Sequence, residues 1–100
     1  MATAPVGRDI QAVISELCDL LETTRDYRWK KVFSGFLDRL DEGGTALDRQ
    51  SVIRQMLRLY GGMGSFNDLV LQDSHGVLPE NNELDRLRHE LHERLIQDLK

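Results

Sequence analysis

Three histidines are the first residues in this chain whose types and spacing suggest chemistry. His89 and His92 stand one helical turn apart in a stretch of helical periodicity, a spacing that can bring two imidazoles to one metal ion, with Glu93 adjacent. Two ligands leave a tetrahedral site half built, and only His75 can add a third imidazole. On a helical wheel His92 lies at the border of a leucine stripe and His89 on the polar side, as expected of rim or solvated histidines. No bound metal and no cofactor is therefore expected. A small metal-binding or hydrolytic protein using His75, His89 and His92 stands as the alternative.

Nucleophilic catalysis would need Cys18 or Ser65 to meet His75 or Asp68 in a cleft. Neither nucleophile sits in a local signature. Cys18, the one cysteine, falls at the edge of an apolar stripe, where it acts as a small apolar filler. The carboxylate pairs Asp41-Glu42 and Asp19-Glu22 lie on polar helical faces. No catalytic residue is assigned, and the chain reads as a protein that is not an enzyme.

The glycine-rich run Gly61-Gly62-Met63-Gly64-Ser65 invites comparison with phosphate-binding loops. Those loops lead from a strand into a helix amino terminus, whose free N–H groups hold the anion. Here the run follows a helix carboxyl terminus, where the dipole has the opposite sign, and no lysine accompanies it. It reads instead as a helix stop and tight turn, with Asn67 or Asp68 bonding the turn. Met63 and Phe66 are large apolar groups in this loop. They either anchor it to the helices or, if exposed beside Asn67 and Asp68, form a partner-binding patch. Arg54 and Arg58 share the outer face of the preceding helix with no acid between them, so they pair with acids elsewhere or face a partner. The candidate partner-binding set is Met63, Ser65, Phe66, Asn67, Asp68, Arg54 and Arg58.

Arg25-Asp26-Tyr27-Arg28-Trp29-Lys30-Lys31 interleaves rings with cations, as some nucleic-acid surfaces do. Trp29, however, belongs to a core stripe. A formal net charge of -4 also repels phosphate backbones and anionic lipid over long range, so neither nucleic acid nor membrane is expected as a partner.

The elements that must position these residues follow from periodicity. Ile10, Val13, Ile14, Leu17, Leu20 and Leu21 make the stripe of helix one. Thr23-Thr24 offers a hydroxyl cap before helix two, whose stripe runs Trp29, Val32, Phe33, Phe36, Leu37, Leu40 and ends at Gly43-Gly44. Whether helices one and two form a single bent rod is left open. Thr45 and Asp48 resemble a capping box for helix three, whose apolar face runs from Val52 to Tyr60 and stops at Gly61-Gly62. Asp68–Leu71 reads as a short strand, Gln72–Gly76 as a loop, and Val77-Leu78 as the second arm of a hairpin. After Pro79, the leucines at 84, 87, 91, 95 and 99 define helix four. The expected fold is mainly α: a compact four-helix domain over residues 1–100, with a small β-hairpin between helices three and four and a flexible segment at residues 1–8.

With 100 residues, 40% of them hydrophobic and 30% charged, the chain lies in the globular range and outside the disordered one. Its size suits one core without a deep substrate chamber. Lone cysteine usage and the lack of a signal-peptide pattern point to the cytoplasm.

The stretch GGMGSFNDLVLQDSHGVLPENNELDRLRHEL, a glycine-rich turn and short apolar run leading into a Pro/Asn-capped helix, resembles a family of small bacterial proteins classed as a domain of unknown function. The resemblance runs from Val52 to Leu95. It implies a bacterial, intracellular protein and carries no catalytic residues with it, and it marks Gly61–Leu71 as the family's signature. Together these readings lead to a non-enzymatic protein-interaction module, in its narrowest form an immunity protein covering a basic toxin site with an acidic face. A protein partner is expected, and a homodimer through the amphipathic fourth helix is a further possibility.

Overall fold

The computed structural model describes residues 9–61 and 64–99. The segment 1–8, expected to be flexible, and the candidate Met63 lie outside the described residues. The chain forms α1 (Ile10–Thr23), α2 (Tyr27–Asp41), α3 (Ala46–Arg58), a 3-10 turn (Phe66–Asp68), β1 (Gln72–Asp73), β2 (Gly76–Val77) and α4 (Asn81–Asp98). Four helices with one small antiparallel hairpin between the third and fourth is the architecture expected from the sequence.

Asp9 starts α1 by accepting the Ala12 N–H at 2.8 Å, which satisfies one of the donors a helix start leaves open. The end of α1 differs from expectation. The Thr23 and Thr24 hydroxyls donate back to the carbonyls of Asp19 and Leu20, each at 2.9 Å, so they finish α1 rather than cap α2. Arg25 then takes a left-handed backbone, φ 62°, and Asp26 caps α2 by accepting the Trp29 N–H at 3.3 Å. A residue at positive φ cannot continue a right-handed helix, so α1 and α2 are two helices and not one bent rod.

Thr45 and Asp48 form the reciprocal capping box of α3, with Asp48 N–H donating to Thr45 Oγ1 at 3.2 Å and Thr45 N–H to Asp48 Oδ2 at 3.1 Å. The α-helical part of α3 ends at Arg58, earlier than Gly61-Gly62, because Leu59 and Tyr60 donate to Met56 and Leu57 in tighter, three-residue turns.

The helices close on one core. Five residues of α1 (Ile10, Val13, Ile14, Leu17 and Leu21) and four leucines of α4 (Leu84, Leu87, Leu91 and Leu95) are fully buried. Helix α1 packs against both α2 and α4, and α3 contacts the same two helices. Leu99, the expected fifth leucine of the α4 stripe, falls just past the helix on extended backbone and is half-buried. At one end of the core Phe66 sits among aromatics, its ring centroid 4.7 Å from Phe33, 5.3 Å from Trp29 and 5.6 Å from Tyr60. Offset and edge-on contacts of this kind add to the area term.

The hairpin is displaced from its expected place. Asp68, expected to begin the first strand, instead ends the 3-10 turn Phe66–Asp68, and its Oδ2 accepts the Gly64 N–H at 2.9 Å. Pairing instead joins Gln72 to Val77 and Asp73 to Gly76, so that Gln72, Asp73 and Gly76, expected in the loop, are in the ladder with Val77 of the expected second arm, and Leu78 N–H donates to Leu71 O at 3.0 Å beyond them. A two-residue loop, Ser74-His75, fixes this register. Asp73 Oδ1 accepts the His75 N–H at 2.8 Å, and Gly76 takes φ 119°, which a residue with a Cβ rarely adopts. Among the described residues no helix is long and apolar enough to cross a membrane.

Candidate functional site

The glycine-rich corner positions several of the sequence-derived candidates. Beside it a groove of about 340 Å³ is lined by Tyr60, Asn67, Asp85, Arg88, His89 and His92. Its polar groups hold the fold. One guanidinium nitrogen of Arg88 donates to the carbonyls of Phe66, Asn67 and Leu69 at 2.8, 3.1 and 3.0 Å, another pairs with Asp85, and the charge lies 5.8 Å from the Phe66 ring centroid. Asn67 donates to Tyr60 O at 3.1 Å. The Tyr60 hydroxyl donates to Arg88 O at 2.8 Å, and burial pushes its pKa well above the ordinary value, an effect only partly offset by the Arg88 charge. His89 sits 2.9 Å from Glu93, and His92 packs edge-on against Tyr60 at 4.8 Å. The groove is a polar seam that ties the 3-10 turn to α4.

The other candidates separate. Phe66 is fully buried, so it leaves the partner-binding set: it is the anchor of the loop. Ser65 is half-buried and its hydroxyl has no hydrogen-bond partner among the described residues. Asn67, Asp68, Arg54 and Arg58 are exposed, with Asp68 engaged in the Gly64 turn. Arg54 has a partner, and neither arginine lines the groove.

His75 lies in the hairpin loop, away from the α4 histidines in the chain, and among the described residues no three His, Cys, Asp or Glu side chains gather to hold a metal ion. The alternative site of His75, His89 and His92 is not assembled. Cys18 is buried with Sγ 3.7 Å from Ser34 Oγ, and desolvation pushes its thiol pKa up, opposite to the shift an activated nucleophile needs. Among the described residues no hydrogen bond joins any two of Cys18, Ser65, Asp68 and His75.

A second groove, of about 480 Å³, opens between the α1–α2 turn and the segment before the hairpin, with Arg25, Tyr27 and Arg28 on one side and Leu69, Val70 and Gln72 on the other. Tyr27 and Val70 remain 54% and 50% exposed, and Val77, across the ladder from Gln72, 68%. Burial alternates along the segment: Val70 and Gln72 are exposed, while Leu71 is buried. That alternation puts Val70, Gln72 and Val77 on the outer face of the hairpin. Asn81, at the start of α4, secures the inner edge. Its Oδ1 accepts the Leu71 N–H, and its Nδ2 donates to Leu71 O and Leu78 O, all at 2.8 Å. A single carboxamide thus stands where a neighbouring strand would.

A family model for a domain of unknown function (DUF6966) matches residues 22–80, more than half of the chain. The chain belongs to this family. The DUF6966 span starts in the last turn of α1 and ends just before α4, so it lies further toward the amino terminus than the resemblance over Val52–Leu95 implied. All of the second groove falls inside it, whereas Asp85, Arg88, His89 and His92 of the first groove fall outside. No curated protein and no solved structure matches the chain.

Sequence reasoning missed Val70, Val77, Asn81 and Arg88. Val70 sits in an unbroken apolar run, Leu69-Val70-Leu71, which shows no alternation to separate an outer residue from an inner one. Asn81 appeared only as part of a helix start, and Arg88 was given no role.

Proposed function

We propose that this DUF6966 protein is a non-catalytic module that binds another protein in the groove between the α1–α2 turn and the hairpin. One observation carries the reading: three large apolar side chains, Tyr27, Val70 and Val77, are at least half exposed on or beside a groove with arginines at its rim. Apolar anchors inside a charged rim are how compact interfaces are built. The glycine-rich corner serves this function indirectly, since Arg88 and Tyr60 hold the loop that leads into Val70.

The narrower reading, an immunity protein with an acidic docking face, would use a different surface. Asp38, Asp41, Glu42 and Asp48 are exposed around the α2–α3 corner, where they suit a basic partner. A photo-crosslinking residue placed at Val70 in cells of the native host tests the module reading, with the same residue at Leu47 as control. Leu47 is 80% exposed, so indiscriminate capture would favour it. The expected result is one discrete crosslinked protein from Val70 and none from Leu47. A product that survives at Val70 equally with and without groove substitutions, yet is lost on charge reversal at the α2–α3 corner, would move the site to the acidic face.

A further inference from the structure

The partner's chemistry can be read from the groove. The backbone N–H and C=O of Leu71 both point toward Asn81 and Leu78. Successive residues of a strand aim these groups to opposite sides, so those of Gln72, in β1, point away from β2, and the same alternation carried back through Leu71 turns those of Val70 to that side, where both residues line the groove. Among the described residues neither has a backbone partner there. This is an open strand edge, covered on its inner side by the Asn81 carboxamide and uncovered on its outer side.

The charges beside it are unequal. Arg25 and Arg28 face the groove, and the one acid lining it, Asp26, is engaged in capping α2. The nearest acids in sequence have partners of their own: Glu22 pairs with Lys30 at 2.6 Å, Asp68 accepts the Gly64 N–H at 2.9 Å, and Asp73 holds the hairpin turn. In a protein of net charge -4 the groove is lined by two arginines against one aspartate, a local excess of positive charge beside the exposed side chains of Tyr27 and Val70.

Building on the module reading, we propose that the groove takes an extended, acidic segment of another protein, which adds as a strand to the Val70–Gln72 edge. Its backbone pairs with Val70 and Gln72, its apolar side chains cover Tyr27 and Val70, and its carboxylates meet Arg25 and Arg28. This is strand addition, in which main-chain bonds hold the peptide and alternate side chains select it.

The test uses the full chain and an acetylated, amidated peptide Glu-Val-Glu-Val-Glu, followed by backbone amide shifts in nuclear magnetic resonance. The expected result is saturable shifts confined to residues 69–72 and the α1–α2 turn. Binding is weakened about tenfold or more by the double substitution Arg25→Glu and Arg28→Glu and by raised salt, and it is lost when lysine replaces glutamate in the peptide. N-methylation of the valine amides in one peptide and of the glutamate amides in another should abolish binding for one of the two, because only one set faces the edge. Equal binding by both methylated peptides, by the lysine peptide, or at another surface overturns the proposal. So does a chain that sediments as a dimer and becomes a monomer on Val70→Lys, which would give the edge to a second copy. If the peptides fail while crosslinking from Val70 still captures one protein, the strand-addition inference falls and the module reading stands.

Discussion

Two side chains hold the loop and hairpin that present the groove. Asn81 makes three hydrogen bonds across the inner edge of the hairpin. Asn81→Ala removes them and leaves the Leu71 N–H without its partner, so a loss of about 1–3 kcal/mol is expected in chemical denaturation. Asn81→Asp should fare no better. It keeps the acceptor for Leu71 N–H but turns a carboxylate oxygen toward two carbonyls. Tyr60 marks the other anchor. Its folded pKa is raised by burial, so the native state keeps a proton that the unfolded chain gives up near its ordinary value of about 10. The unfolded state then binds fewer protons than the native one, and stability falls as pH rises from about 10 upward. Cys18 and Lys30 are shifted in the same direction and add to the decline. Thermal unfolding followed across alkaline pH should show a shallower fall for Tyr60→Phe than for the parent chain.

Among the elements, the helices were legible in the sequence and the hairpin register was not. The stripes of α1 and α4 stand at helical spacing, and each residue at those positions from Ile10 to Leu21 and from Leu84 to Leu95 is buried or half-buried. Leu91→Ala is expected to cost about 2–5 kcal/mol of stability, and an unchanged melting temperature would show that α4 is not core. The buried leucines of α4 are covered within the chain, where α4 packs against α1 and α3. The start of α2 was misassigned because threonine and aspartate are both good caps, and only the backbone conformation at Arg25 decides between them. The structure therefore predicts that Asp26→Ala costs about 1 kcal/mol and that Thr23→Ala stays within about 0.5 kcal/mol; denaturation midpoints of the two variants check this. The first arm was shifted because an apolar run such as Leu69-Val70-Leu71 carries no alternation, while Gln72, Asp73 and Gly76 of the true ladder are polar or small residues that read as loop.

For the whole molecule, the four stripes bury most of the large apolar side chains, and the exceptions are informative. Phe66, which the sequence left between anchor and binding patch, is the anchor. Exposed apolar surface near the hairpin falls instead to Tyr27, Val70 and Val77, which no periodicity singled out. The sequence did flag residues 25–31 as a cationic, aromatic stretch. From Tyr27 on it is the first turn of α2, with Trp29 in the core, while Arg25, Tyr27 and Arg28 form one wall of the groove. A groove built from a helix junction and a hairpin edge distant in sequence has no local motif, which is why periodicity and turn chemistry did not point to it.

Hydrogen–deuterium exchange of the chain, alone and in complex with the protein captured from Val70, tests the docking surface most directly, because amide protection maps contact on every described segment at once. The account predicts protection concentrated at residues 24–28 and 69–73, with the α2–α3 corner and the outer face of α4 unchanged. Protection at the α2–α3 corner or around His89 and His92, with residues 69–73 exchanging as freely as in the isolated chain, would contradict it.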